Sequence, residues 1–121
     1  MYYTFSLYLE IKVDRSKSYD EIYSYIKELG NGCLLRFIRE VEQNKGMKLE
    51  EFYISDIHVG SETATDADLG RGYGAIDAED PAFITFNIGS YVYDDISTIA
   101  NALENNTDFD FIDDVSYEKR V

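Results

Sequence analysis

The order of elements read along the chain is strand, broken helix, strand, strand, helix, strand. That order predicts an α+β protein: a ferredoxin-like split βαβ sandwich, β-α-β-β-α-β, with a four-stranded antiparallel sheet and helices on one face. Two observations favour this class over a doubly wound parallel sheet. The first and last strands alternate apolar and polar side chains, so each leaves one face to solvent, whereas a parallel sheet is buried on both. Helical periodicity appears in two regions, too few to cover two faces. A chain of 121 residues supports one core and not two, so residues 1–121 are read as a single domain.

The first strand is the cleanest element. Tyr3, Phe5, Leu7, Leu9, Ile11 and Val13 fall on one side, and Thr4, Ser6, Tyr8, Glu10 and Lys12 on the other. Ser18 followed by Glu21 reads as a capping box that opens a helix. Ile22, Ile26 and Leu29 step at helical spacing, then Gly30-Asn31-Gly32 intervenes before Leu34, Leu35, Ile38 and Val41 resume it. Two glycines cost about 2 kcal/mol in a helix interior, so the expectation is two helices, or one broken near residue 31. Gly46 supplies the stop.

Residues 49–59 form the second strand, in which Phe52 and Ile54 share one parity while Ile57 and Val59 share the other. A bulge near Ser55-Asp56 puts both pairs on the core side. Residues 60–81 read as a flexible loop rich in Gly and Asp, ending at Asp80-Pro81. Ala82, Ile84, Phe86 and Ile88 alternate in the third strand, and Asp94 or Asp95 caps a helix through Ile96, Ile99, Ala100 and Leu103. The last strand alternates Phe109, Phe111, Val115 and Tyr117 with Asp108, Asp110 and Asp114 opposite.

Charge is distributed unevenly. Residues 1–49 hold eight Lys/Arg and seven Asp/Glu, whereas residues 50–121 hold three Lys/Arg and seventeen Asp/Glu, for a net charge of −13. Such a field repels nucleic acid and anionic membrane and attracts basic surfaces. The cluster Arg36, Arg39, Lys45 and Lys48 is modest against it, so no direct nucleic-acid contact is expected. Those cations are expected to neutralise acids of the second half or of a neighbouring protomer. The single cysteine, Cys33, cannot form an internal disulfide. With neither an export signal nor an apolar run of membrane length, the expectation is a cytoplasmic protein with no membrane contact.

Candidate chemistry is sparse. His58 with Asp56 lacks a nucleophile or further metal ligands, and Asp66-x-Asp68-x-Gly70 resembles the start of a calcium loop without its twelfth-position acid. No catalytic, metal or cofactor role is therefore assigned. The segment Gly70-Arg71-Gly72-Tyr73-Gly74 is a candidate ligand loop for a nucleotide-like anion, although it lacks the strand before and helix after that a phosphate loop needs.

The acids themselves are the main candidate. Asp108, Asp110, Asp114 and Glu118, with Asp94 and Asp95 close in sequence, form one expected partner surface. Asp66, Asp68, Asp77, Glu79 and Asp80 of the loop form a second. Carboxylates at fixed spacing can copy a phosphate backbone or cover a basic active site, with complementary charge speeding association and selecting the partner. In size, acidity and absence of a catalytic set, the chain is similar to DNA-mimicking phage anti-defence proteins, anti-CRISPR proteins among them, and to toxin immunity proteins. That likeness implies a small intracellular inhibitor of a basic protein: a nuclease, a CRISPR effector or a toxin. A homodimer through the face of Thr4, Ser6 and Tyr8 is a further expectation.

Overall fold

Alternation in β1 (Tyr3–Ile11) sets the sheet. Phe5, Leu7, Leu9 and Ile11 are buried on one side, while Thr4, Tyr8 and Glu10 on the other stay half-exposed. The computed structural model describes residues 1–14, 16–59 and 82–120. In it β1 is an inner strand, paired antiparallel with β3 (Phe83–Ser90 in chain order) and β4 (Ile112–Lys119). β2 (Glu51–His58) pairs antiparallel with β3 and forms the other edge, giving the order β2-β3-β1-β4.

Ile84, Phe86 and Ile88 of β3 face the same way as their partners Leu9, Leu7 and Phe5. They share one buried cluster with Ile22, Ile26, Leu34 and Ile38, and with Ile96, Ile99 and Leu103 of the last helix, α3 (Asp95–Glu104). The protein is therefore an α+β protein with a four-stranded antiparallel sheet, its helices packed on the apolar face. The bulge expected in β2 falls between Ile54 and Asp56. It lets Phe52, Ile54, Ile57 and Val59 all join the core.

Ser18 caps α1 (Tyr19–Leu29), its hydroxyl accepting from the Glu21 amide at 3.3 Å. The break expected near residue 31 does not occur. α1 runs through a π turn, Gly30–Leu34, into α2 (Leu35–Lys45) with right-handed backbone throughout the junction. Ile22, Ile26, Gly30, Leu34 and Ile38 recur every four residues and are all buried. Each such step overshoots a helical turn by about 40°, so four in succession would carry the stripe off the sheet. One wider turn absorbs the drift.

Gly30 is the contact point of that turn. A Cβ there would collide with Ile84 Cδ1 and lie 2.8 Å from Ile54 Cδ1, so hydrogen alone permits the helix to approach the sheet. Gly32 faces open space. At the far end Gly46 adopts φ 66°, ψ 28° and closes α2. Buried Glu42 accepts hydrogen bonds from Arg39 and from the Leu49 amide (2.8 Å), tying α2 to the entry of β2.

The two glycines should respond oppositely to alanine. Gly30→Ala overpacks a filled site and is expected to cost about 1–2 kcal/mol net of its helix propensity. Gly32→Ala should gain up to about 1 kcal/mol. Thermal unfolding of both variants checks this; equal shifts would refute the close-approach role of Gly30.

Candidate interaction surface

The side of the sheet away from the helices is built from the alternate residues of all four strands. Register places Glu51 beside Gly89, and Gly89 beside Thr4; Tyr53 beside Asn87, Asn87 beside Ser6, and Ser6 beside Glu118. Asp56, Thr85, Tyr8 and Ser116 form the next row, followed by His58, Phe83, Glu10 and Asp114. Among the described residues, five carboxylates therefore share this face (Glu10, Glu51, Asp56, Asp114, Glu118) with one guanidinium, Arg120, and His58. Glu10 and Asp114 lie directly opposite on neighbouring strands, where like charges destabilise a sheet.

Polar bonds hold the centre of the face. The Tyr8 hydroxyl donates to Glu118 Oε1 at 2.8 Å, which pushes the phenol above its ordinary pKa. Asn87 Nδ2 donates to the Tyr53 hydroxyl at 3.0 Å. Arg120 Nε donates to the Phe5 carbonyl at 3.3 Å, and its Nη2 lies 3.9 Å from Glu51 Oε2. Tyr2 covers Gly89, where any Cβ would strike its hydroxyl.

Asp114 and Glu118 occupy β4 on this face, as expected from the sequence. Asp108 and Asp110 are exposed but not in a strand, because β4 begins at Ile112. Successive turns precede it: the Asn106 side chain accepts from the Asp108 amide at 2.9 Å, and the Phe109 carbonyl accepts from the Ile112 amide at 3.1 Å. The turns let Phe109 pack edge-on against Phe37. Asp94 is exposed at the start of α3. Asp95 is 7% exposed and accepts from Ser90 Oγ at 2.6 Å, so it braces the β3–α3 turn and offers nothing to a partner.

The loop acids Asp66, Asp68, Asp77, Glu79 and Asp80 lie outside the described residues, as does the candidate ligand loop Gly70-Arg71-Gly72-Tyr73-Gly74. Among the described residues no group of three or more His, Cys, Asp or Glu could hold a metal ion, and no helix is long and apolar enough to cross a membrane. Half-buried Cys33 points its thiol at the Leu29 carbonyl within the π turn. Of the basic cluster, Arg39 pairs with Glu42 and lies over the Phe52 ring, while Lys48 sits 3.9 Å from Glu50.

Eleven tyrosines supply rings enough for a partly exposed aromatic surface, and the fold gathers several of them. Tyr2, Tyr3, Tyr91, Val92, Tyr93 and Tyr117 converge from three segments at one end of the sheet. Tyr2 meets Tyr91 at 5.1 Å, Tyr3 meets Tyr93 at 5.2 Å, and Phe5 meets Tyr93 at 5.5 Å. The Ser90–Asp95 bond and the Val92 amide on Ser90 Oγ shape the turn that presents Tyr91 and Tyr93. A Tyr-Val-Tyr triplet between a strand and an acidic helix start was the available signal. Its partners Tyr2 and Tyr3 are visible only once β1 is paired with β3.

No protein-family model matches the chain, and no curated protein matches it.

Tyr2 titrates near pH 12, raised first by desolvation and then by its hydrogen bond to Glu51. A phenol that titrates higher in the folded chain than in the unfolded one stabilises the fold below pH 10. That contribution is lost as the pH rises toward 12. Glu51→Gln should lower the Tyr2 pKa without fully restoring it, because desolvation is the larger cause. Ultraviolet titration of tyrosinate, with Tyr2→Phe as reference, checks this; an unaltered high-titrating tyrosine in Glu51→Gln refutes it.

Proposed function

We propose that this chain is a small acidic binding protein that inhibits a basic, nucleic-acid-handling protein by occupying its cationic surface. The partner class is a nuclease, a CRISPR effector or a toxin, and the setting is the cytoplasm. The observation that carries the reading is the sheet face turned away from the helices, where, among the described residues, five carboxylates stand against one guanidinium. Backbone ladders fix the spacing of those groups: Glu10 and Asp114 stand on neighbouring strands, about 4.8 Å apart, and Glu118 lies four residues beyond Asp114, about 13 Å along β4. Such a lattice presents negative charge without the entropy of ordering flexible side-chain carriers at binding.

The same charge works against the face-to-face homodimer, since two copies would oppose ten carboxylates across one interface. We also read the architecture as the ferredoxin-like β-α-β-β-α-β sandwich. What supports this is that β1 and β2 run in the same direction with β3 between them, and β4 flanks β1. The reading assigns the chain no catalytic step.

The test is charge reversal in the full chain. Glu10→Lys, Asp114→Lys and Glu118→Lys together should slow association with the partner about tenfold or more at low salt. Far-ultraviolet circular dichroism should stay unchanged. Affinity capture from the host at 50 and 500 mM salt (Debye lengths of about 14 Å and about 4 Å) should recover a basic protein only at the lower value, and duplex DNA should displace it. Undiminished capture by the triple variant would sink the proposal. Reversal at Asp108 and Asp110 separates the turn from the sheet face.

A further inference from the structure

We infer that the tyrosine patch beside the acidic face is an anchor for arginine side chains of the basic partner. This rests on the proposed function and names the group that the surface selects. Tyr91 and Tyr93 are more than half exposed, and Tyr2 and Tyr117 more than a third, although aromatic rings are costly to leave in water. Exposed, clustered tyrosine is the composition of interface hot spots.

Three observations select the occupant. Glu50 and Glu51 act electrostatically on Tyr2, and Asp94 adjoins Tyr93 in the turn, so the patch has an acidic rim. Lys119 already lies over the Tyr3 ring, 5.5 Å from its centroid, so a ring of this cluster holds a cation within the chain itself. Tyr2 reaches over Gly89 and joins the Tyr2–Tyr91 corner to the row of Glu51 and Arg120, making that corner continuous with the acidic face. A second copy of this chain would bring the same rim of Glu50, Glu51 and Asp94 against itself. An arginine-bearing segment meets complementary charge instead.

Arginine is preferred to lysine on geometric grounds. The Tyr2 and Tyr91 rings meet at 57° with centroids 5.1 Å apart, leaving a tilted aromatic corner. A planar guanidinium stacks on such a ring while its edge donates to a neighbouring carboxylate; an ammonium does only the second well.

The experiment titrates the full chain with synthetic octa-arginine and octa-lysine, following the tyrosine ring protons by NMR. Octa-arginine should bind about fivefold more tightly at equal salt, shifting Tyr2 and Tyr91. Tyr91→Ala, which removes an exposed ring touching Tyr2, should reduce that preference about threefold, and Tyr91→Phe should retain it. A preference unaltered in Tyr91→Ala overturns the inference and leaves the proposed function standing. So does a wild-type dimer in light scattering that Tyr91→Ala dissolves, because the patch then belongs to a second copy. If neither peptide binds, the proposed function fails and this inference with it.

Discussion

Leu7 and Leu9, both without solvent exposure, sit in β1, one of the two strands hydrogen-bonded on both sides. β3 and β4 pair with it directly, and β2 follows through β3. The odd residues of β1 point into the helices and its even residues point away, and the pleat leaves no third choice. With helices on one side only, the opposite side must be polar or covered. The acidic face is therefore a direct consequence of how β1 is buried.

The helical layer shows a constraint of phase. A buried stripe repeating every four residues cannot stay on one side of a straight α-helix over the length from Ile22 to Ile38. The π turn restores the phase, and Gly30 allows the restored turn to touch Ile84 and Ile54. What resembles a flaw in helix propensity is thus a point of close helix–sheet contact. Cys33 lies in the same turn and gains its half-buried setting from it.

Much of this was legible along the chain. The alternation from Tyr3 to Ile11, the Ser18–Glu21 cap, the change of parity around Ser55 and the stop at Gly46 are all local signals, and each appears where it was read. At Gly30 helix propensity predicts a break, and the four-residue spacing of Ile22, Ile26, Leu34 and Ile38 prevails over it through the π turn. Asp108 and Asp110 were placed in a strand because Phe109 and Phe111 mimic alternation, whereas turns bonded through Asn106 bring those rings inward. Asp95 and Asp94 are neighbours of opposite fate, and only the position of Ser90 decides which is buried. The Tyr91-Val92-Tyr93 triplet is a local signal, but its ring partners Tyr2 and Tyr3 lie about ninety positions away and meet it only through the pairing of β1 with β3.

The opposition of Glu10 and Asp114 has a thermodynamic corollary. Their repulsion exists only when β1 and β4 are paired, so it is absent from the unfolded chain and lowers the stability of the free protein. Any bound cationic surface that screens the two carboxylates returns that energy in addition to its own contacts. For the proposed partner, folding and binding would thus be coupled through this one pair of carboxylates.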